Sequence, residues 1–299
     1  MSLIEKLPKV RGRYRENASL AKVTWFQVGG EAEVLFKPED AEDLQFFLAN
    51  KPKDIPVYVI GVGSNLLVRD GGLKGVVIRL GRGFANIKID GDKVISGAAS
   101  MDVNVANFAA ENGIGGLEFL VGVPGTIGGA LAMNAGAYGA EVKDVLTSAK
   151  AIDGDGKIHN ISNKEMGFSY RINSINKDWI FIEATFQGKK QERETVFKSM
   201  NEISSQREAT QPIRAQTGGS TFKNPPNKKA WQLIDEAGCR GMKLGGAQVS
   251  EKHCNFLINT GNATASDIEM LGEKVREMVK EKSGVELEWE IKRIGTIIK

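Results

Sequence analysis

The sequence predicts an α+β fold made of several compact parts, and three features support that prediction. The 299 residues are 41% hydrophobic, which is enough for one large core or two to three smaller ones. A strand–helix–strand pattern from Val34 to Gly83 has a doubly wound look, but only locally. Further strand and helix patterns follow it, up to an amphipathic helix near the C-terminus.

The first part of the chain holds three predicted strands and one helix. The strands are Val34–Phe36, Val57–Ile60 and Val76–Leu80, and a helix is expected to begin after Asp40, where apolar residues recur on one face. The second strand runs directly into the turn Gly61–Asn65. This pattern predicts a compact unit that ends near Gly83.

The second part is predicted from two strands, a helix and a later strand. The strands are expected near Phe84–Ile89 and Lys93–Gly97, followed by a helix from Met101 to Asn112 that Gly113 can end. A further strand is expected at Trp179–Phe186.

Two helices mark the third part. The first, Glu192–Arg207, connects to it, and the second begins at the capping box Ser266-Asp267-Ile268-Glu269 and stops at Gly284. The predicted domain boundaries are residues 1–83, 84–205 and 206–287, with a C-terminal segment at 288–299.

Composition excludes several classes of partner. Lys and Arg number 40 against 37 Asp and Glu, so the net charge of +3 is too small to indicate nucleic acid or an anionic membrane as a partner. Cys239 and Cys254 lack metal-like spacing and are expected to be free thiols, which fits a reducing compartment and no metal site. No secretory signal or membrane-spanning run is visible, so we expect a cytoplasmic protein. The oligomeric state stays open, and a monomer is compatible with the sequence.

The turn Gly61-Val62-Gly63-Ser64-Asn65 follows a strand, as a dinucleotide-binding loop would. Leu66 stands where the third glycine of a Rossmann fingerprint belongs, and Gly71-Gly72 interrupts any helix after the turn. A nicotinamide Rossmann domain is therefore disfavoured. Taken alone, the turn is either an ordinary tight turn or a phosphate contact made by loop amides.

The stretch from Gly122 to Gly139 is the strongest binding signal, because nine of the 27 residues from Gly113 to Gly139 are glycine. Small residues let a ligand approach the backbone closely, and successive amides in turns bind anions. The alternative is a glycine-rich packing corner. Two amide-rich loops together suit the pyrophosphate and isoalloxazine of FAD. The predicted cofactor residues are Gly61, Gly63, Ser64, Asn65, Gly122, Pro124, Gly125, Thr126, Gly128, Gly129, Asn134 and Gly136.

Seven motifs in a fixed order carry a family resemblance. They are Thr24–Gly30, the Gly61 to Asn65 turn, Leu117-Glu118-Phe119 before the Pro124 to Gly139 loop, Tyr170-Arg171, Gly219–Pro225, Val249–Asn262 and Leu287-Glu288-Trp289-Glu290. The set spans nearly the whole chain and resembles the UDP-N-acetylenolpyruvoylglucosamine reductase (MurB) family. That resemblance implies two flavin-binding subdomains, at 1–83 and 84–205, of the type shared with vanillyl-alcohol oxidase (PCMH type). It also implies a C-terminal α/β substrate-binding domain at 206–287 and a C-terminal strand at 288–299 that returns to the flavin-binding region.

The resemblance also implies an FAD enzyme of peptidoglycan synthesis. In this family a hydride passes from NADPH through the flavin to the enolpyruvyl group of UDP-N-acetylglucosamine enolpyruvate, which yields UDP-N-acetylmuramate. The alternatives are an FAD-dependent oxidase of the same fold and a catalytically silent sugar-nucleotide-binding protein.

Three residues match the family's catalytic positions. Hydride addition leaves negative charge next to the substrate carboxylate, and Arg171 is suited to clamp and stabilise it. By resemblance Ser220 donates the proton, with Lys223 offered as a polarising neighbour. Glu290 matches the family's C-terminal glutamate, and we expect it to act as a neutral acid because a carboxylate would repel the substrate's own. Without the resemblance, each has an ordinary structural alternative.

Substrate contacts are expected at Tyr170, Lys223, Asn224 and His253, although His253 is as readily a structural histidine. The chain departs from one form of the family, because no tyrosine lies between Arg171 and Arg207 to clamp the substrate. Trp289 replaces the proline common between the two C-terminal glutamates, with no expected effect on Glu290.

Overall fold

The computed structural model describes residues 2–298, and the chain divides into two compact units. Unit 1 comprises Val34–Gly61, Gly75–Arg207 and the N-terminal residues up to Glu16. Unit 2 comprises Asn17–Glu33, Val62–Lys74 and the chain from Glu208 onward. Residues 1–83, predicted as one subdomain, are therefore divided between the two units, because segments distant in sequence pack together. The separate flavin-binding subdomains stay a prediction.

Runs of consecutive strands are interspersed with helices, and the largest sheet is antiparallel, so the predicted α+β fold class is confirmed. The α-helices are α1 (Ala41–Asn50), α2 (Asp102–Glu111), α3 (Ile127–Met133), α4 (Val142–Val145), α5 (Asn163–Met166), α6 (Arg193–Thr210), α7 (Ala230–Glu236) and α8 (Ala265–Ser283). The strands are β1 (Arg13–Ser19), β2 (Glu31–Lys37), β3 (Val57–Val59), β4 (Leu66–Val68), β5 (Leu73–Ile78), β6 (Ile87–Asp90), β7 (Lys93–Gly97), β8 (Ile114–Gly115), β9 (Gly136–Ala137), β10 (Ala140–Glu141), β11 (Leu146–Ile152), β12 (Ile158–Ser162), β13 (Ile180–Gln187), β14 (Lys189–Lys190), β15 (Lys243–Leu244), β16 (Ala247–Val249), β17 (Leu257–Asn259) and β18 (Lys292–Ile294). Short 3-10 helices lie at Ile4–Lys6, Ala21–Val23, Arg82–Phe84 and Glu118–Gly122.

The largest sheet of unit 1 is antiparallel, with the strand order β12-β11-β13-β7-β6. Helices α2 and α3 pack with it around one core, in which Val94, Ala109, Leu131 and Phe186 are at most 1% exposed. The apolar residues of α3 recur at i, i+3 and i+4, which turns one face of this short helix into the core.

A second core of unit 1 lies against α1. Asp40 caps this helix by accepting a hydrogen bond from the Asp43 amide at 3.0 Å, as its predicted start requires. The rings of Phe36 and Phe47 are 4.6 Å apart in that core, and Leu44 is fully buried beside them. The strands β1, β2, β5 and β3 form one sheet in that order.

Unit 2 has its own core, formed by α7, α8 and the sheet β15-β16-β17. The C-terminal strand β18 pairs in parallel with β4, which directly follows the Gly61 to Asn65 turn. Helix α8 begins two residues earlier than predicted, because the capping box is Thr264 with Asp267. Glu269, assigned to the predicted box, instead forms ion pairs with Arg69 and Arg293.

Other boundaries also differ from prediction. Strand β5 begins at Leu73, and the strand expected from Phe84 begins at Ile87 because a 3-10 turn precedes it. Within residues 2–298, no helix has the length and apolar character needed to cross a membrane.

Candidate functional site

The glycine-rich stretch, expected to be a loop, contains the short helix α3. Thr126 is the N-cap of α3, and the amides of Ile127 and Gly128 donate to the carbonyls of Ser100 and Ala98 at 3.0 and 2.8 Å. These two amides are therefore used within the protein. The burial of Ile127, Ala130 and Leu131 explains why the segment is helical despite its glycines.

The glycines of this stretch differ in what surrounds them. A Cβ at Gly128 would lie 3.2 Å from both Cβ and O of Ala98, and one at Gly136 would lie 2.6 Å from Cγ of Glu141. At Gly122 an added Cβ would lie 2.8 Å from the ring of Tyr138. Packing within the protein accounts for these three glycines.

Gly129 and Gly61 are different, because both are exposed. An added Cβ at Gly129 would meet no heavy atom closer than Oγ1 of Thr126, at 3.7 Å. At Gly61 the nearest atom is the same oxygen, at 2.8 Å. The two predicted loops therefore meet at Thr126 in unit 1. The distance at Gly61 is too short for a real Cβ, so contact with Thr126 already favours glycine there. Gly129, which packing does not require, fits a surface that a dinucleotide approaches closely.

The remainder of the first turn belongs to unit 2. Gly63 has a φ of +68°, and an added Cβ would lie 2.7 Å from Cα of Thr24, so packing already requires glycine there. Ser64 and Asn65 follow, and Asn65 Nδ2 donates to the carbonyl of Glu290 at 3.3 Å. Asn65 thus contacts the segment that carries a predicted catalytic residue.

Asn134 holds the protein together at the end of α3. It is fully buried in the left-handed conformation, and its Nδ2 donates to Oε2 of Glu141 and to the carbonyl of Ser169, at 2.9 and 3.1 Å. Its Oδ1 accepts from the amide of Lys143. These bonds use the amide group that we expected to contact the cofactor, so the structure indicates a supporting role instead.

Arg171 lies at the tip of a tight turn in unit 1. Ser169 and Ile172 exchange both backbone hydrogen bonds around it, and Arg171 itself has a φ of +60°, in the region that favours glycine. A side chain held in that conformation costs of order 1–3 kcal/mol and is found mostly at functional sites. The guanidinium donates to the carbonyl of Gly136 at 3.3 Å and lies 5.1 Å from the ring centroid of Tyr170, which is 43% exposed.

Two asparagines support this turn. Asn134 binds the carbonyl of Ser169, as described above, and Nδ2 of Asn173 donates to the carbonyls of Leu131 and Ala132 at 3.1 and 2.9 Å. The arginine turn is therefore fastened to the C-terminal end of α3.

Ser220 and Glu290 lie on neighbouring segments of unit 2. The amide of Glu290 donates to the carbonyl of Thr221 at 2.8 Å, and the amide of Lys223 donates to the carbonyl of Glu288 at 2.8 Å. Ser220, next to Thr221 and after Gly219 with its φ of +79°, pairs in turn with Phe256. The structure thus brings together two of the three predicted catalytic residues, which are 70 positions apart in the chain.

Asn255 is a supporting residue that sequence reasoning missed. Its buried side chain accepts from the amide of Phe222 at 2.9 Å and donates to the carbonyl of the same residue at 2.8 Å. This pair of bonds holds the backbone two residues after Ser220. Asn255 lies inside the Val249–Asn262 motif, and membership of that motif is the sequence signal that could have identified it.

The predicted substrate residues of unit 2 have mixed surroundings. Lys223 was offered as the group that polarises Ser220, but its Nζ forms an ion pair with Glu288 at 3.2 Å. Asn224 is exposed and its Oδ1 accepts from the amide of Ala230. His253 packs edge-on against Phe256 at 4.8 Å, its Nδ1 is buried without a hydrogen-bond partner, and burial lowers its pKa.

Asp102 is a buried acid that the sequence did not single out. It is fully buried at the start of α2, neither carboxylate oxygen has a hydrogen-bond partner, and burial raises its pKa well above the ordinary value. Its amide donates to the carbonyl of Gly125, so Asp102 lies next to the glycine-rich stretch.

Within residues 2–298, no group of three or more His, Cys, Asp or Glu side chains could hold a metal ion.

Comparison with known proteins identifies the family. Residues 32–162 match the FAD binding domain model, and residues 211–294 match the model of the UDP-N-acetylenolpyruvoylglucosamine reductase C-terminal domain. The chain is 63% identical over 294 residues to the UDP-N-acetylenolpyruvoylglucosamine reductase of Parvibaculum lavamentivorans, which covers 98% of this chain and 95% of the relative. It is 56% identical over 298 residues to that of Rhodospirillum rubrum, with 98% and 93% covered.

A solved structure agrees with these relatives. The crystal structure of UDP-N-acetylenolpyruvylglucosamine reductase (MurB) from Thermus caldophilus has a TM-score of 0.83 and 34% identity, covering 95% of this chain and 99% of that one. The fold, the motif order and the similarity over nearly the full length agree, and the predicted family is confirmed. The chain belongs to the UDP-N-acetylenolpyruvoylglucosamine reductase (MurB) family.

Proposed function

We propose that this protein is an FAD-containing, NADPH-dependent reductase that converts the enolpyruvyl group of UDP-N-acetylglucosamine enolpyruvate into the lactyl group of UDP-N-acetylmuramate. Family membership over 98% of the chain supports the reaction, and the FAD-binding domain match supports the cofactor. The observation that carries the residue assignments is the pairing of the Ser220 and Glu290 segments through the bond from Glu290 N to Thr221 O. Two groups that must act on one small substrate are thereby held on adjacent backbones.

The cofactor site is proposed at the exposed glycines and the Thr126 hydroxyl of unit 1. Ser64 and Asn65, which belong to unit 2, stay predicted cofactor residues. Bound FAD supplies two-electron chemistry, by which a hydride taken from NADPH is passed to the terminal carbon of the enolpyruvyl double bond. Gly61 and Gly129 let the dinucleotide approach the backbone, and Thr126 offers a side-chain hydrogen bond.

The protein's own side chains handle the charge and the proton. The double bond accepts a hydride at its terminal carbon, so an electron pair moves to the neighbouring carbon and into the carboxylate. Arg171 stabilises that charge, and its tight turn holds the guanidinium in place before the substrate arrives. Ser220 then gives a proton to the neighbouring carbon, and Glu290 assists at the carboxylate as a neutral acid. Reduction of the double bond is complete once both hydrogens have been added.

Tyr170, Lys223, Asn224 and His253 are proposed substrate contacts. The Lys223–Glu288 ion pair has side chains 25% and 75% exposed, so an incoming phosphate can compete for the lysine at small cost. The neutral form of His253, favoured by burial, can donate or accept a hydrogen bond without a charge. We further propose a cytoplasmic location, since NADPH and the sugar nucleotide are found there, and no nucleic-acid partner, given the net charge of +3.

Two half-reactions test the proposal. The purified protein is expected to be yellow, to bleach on addition of NADPH, and to regain its colour when the enolpyruvyl sugar nucleotide is added without oxygen. Ser220→Ala should slow the recovery of colour by 10²-fold or more, a value typical of a lost proton donor, and leave bleaching unchanged. A wild-type protein that bleaches but recovers only with oxygen would indicate an oxidase instead.

A further inference from the structure

Trp289 lies between Glu288 and Glu290 and pairs with Phe222. Two backbone hydrogen bonds flank the pairing of Trp289 with Phe222, and their donors are the amides of Lys223 and Glu290. The pairing therefore does not depend on the N–H of residue 289.

The indole ring makes four different contacts. Its Nε1 donates to Oε1 of Glu273 at 2.9 Å, and the guanidinium of Arg293 lies 4.3 Å from its ring centroid. The ring of Phe222 is 5.1 Å away at a tilt of 57°. An added Cβ at Gly272 would lie 2.2 Å from the far edge of the indole, so the glycine in the middle of α8 makes room for this side chain.

These contacts connect the indole to an ion network on α8. Glu273 also accepts from Arg293 at 2.7 Å, and Glu269 accepts from Arg293 at 3.0 Å and from Arg69 at 2.8 Å. Burial raises the pKa of Glu273, but hydrogen bonds from Arg276 and Trp289 outweigh it, so the pKa lies below the ordinary value. A hydrogen bond from Arg69 lowers the pKa of Glu269 as well, so both carboxylates favour the ionised form beside Arg293, which lies over the indole.

We propose that Trp289 is a positioning residue, which transmits the fixed position of α8 to the segments carrying Glu290 and Ser220. Its indole is anchored on one side by Glu273 and Arg293, and on the other it packs against Phe222, two residues after Ser220. Because Glu290 follows Trp289 directly, a tilt of the indole moves the backbone that carries the carboxyl group. The inference rests on the proposed roles of Ser220 and Glu290.

The experiment moves the indole without touching a proposed catalytic residue. Gly272→Ala places a methyl group against the far edge of the ring, and Trp289→Phe removes that edge together with the Nε1 bond. Gly272→Ala is expected to slow recovery of flavin colour by the enolpyruvyl substrate about tenfold, while bleaching by NADPH changes less than about twofold. Met270→Ala, at a 51% exposed position of the same helix, is the control and should alter neither rate.

A double-mutant cycle tests whether the methyl group at position 272 acts through the indole of Trp289. If the methyl acts through the indole, Gly272→Ala should slow the Trp289→Phe protein by less than about twofold, because the shorter ring leaves space. Equal slowing in both backgrounds would overturn the proposal. So would an unchanged recovery rate in Gly272→Ala, provided that Glu290→Gln slows recovery. If Glu290→Gln leaves recovery unaffected, the proposed role of Glu290 itself is wrong, and the positioning role is wrong with it.

Discussion

Replacing Gly129 by alanine should raise the stability of the flavin-free protein and weaken FAD binding at the same time. Gly129 lies in α3 with an ordinary backbone conformation, and its added Cβ would meet nothing closer than Thr126 Oγ1 at 3.7 Å. Alanine is about 0.5–1 kcal/mol more favourable than glycine within a helix, so the unfolding temperature without FAD should rise by about 2 °C.

The effect on FAD has the opposite sign. If the exposed glycine is present so that the dinucleotide can approach the backbone, a methyl group there forces the ligand away from the surface. We expect the dissociation constant of FAD to rise at least about tenfold, which corresponds to about 1.4 kcal/mol. The stabilisation that saturating FAD adds to thermal unfolding should fall accordingly.

Two glycines serve as controls. An added Cβ at Gly81 has no heavy atom within 4 Å, so Gly81→Ala should leave FAD affinity unchanged. Gly128→Ala should destabilise the fold, because its Cβ would press against Ala98 at 3.2 Å. Thermal unfolding and fluorescence titration with FAD measure both quantities. An unchanged FAD affinity in Gly129→Ala would refute the reasoning, and a lower unfolding temperature would show that the space beside Gly129 is needed by the protein.

The side chains of Arg171, Asp102 and Cys254 can each be tested by one substitution or labelling experiment. Arg171→Gly and Arg171→Ala should both abolish most turnover. The glycine variant should nevertheless be about 1 kcal/mol more stable than the alanine variant in chemical unfolding, because the φ of +60° suits glycine. Equal stability of the two variants would contradict the strained turn. Burial raises the pKa of Asp102 in the folded state. The contribution of its protonated form to the free energy of unfolding is therefore fully present below the unfolded pKa of about 3.9. It is lost as the pH rises towards the folded pKa, at up to about 1.4 kcal/mol per pH unit. Asp102→Asn should therefore flatten the dependence of the free energy of unfolding on pH, and a slope equal to wild type would show that Asp102 does not cause it. Burial raises the pKa of Cys254 to about 11, so iodoacetamide at pH 8 should label it only after unfolding, and rapid labelling of the native protein would count against a buried thiol.

Local signals in the sequence predicted several elements well. The Asp40 cap, strand β7 and the end of α8 at Gly284 depend on short-range chemistry, and each was found as expected. The start of α8 was misplaced by two residues because two overlapping capping boxes are possible there. Glu269 is drawn away from the predicted box by Arg69, which is 200 positions away and could not be anticipated from local pattern.

The candidate site divides in the same way. Motif order identified Arg171, Ser220 and Glu290 as candidates, but it could not distinguish glycines needed for packing, such as Gly128, from an open one such as Gly129. That difference depends on Ala98, which lies on another segment. Asn134 was expected to face the cofactor, and only the folded chain shows its amide bonded to Ser169 and Glu141.

The sequence by itself determined the fold class, the family and the chemistry that the side chains can perform, because these follow from residue types in a fixed order. The tertiary structure decided which groups meet: Thr126 with Gly61, the Glu290 segment with that of Ser220, and Trp289 with a gap at Gly272. Such contacts join residues 17 to 70 positions apart, and their geometry depends on the packing of whole elements. Short-range sequence patterns do not show which distant elements pack together, so the positions of the site residues could be described only from the tertiary structure.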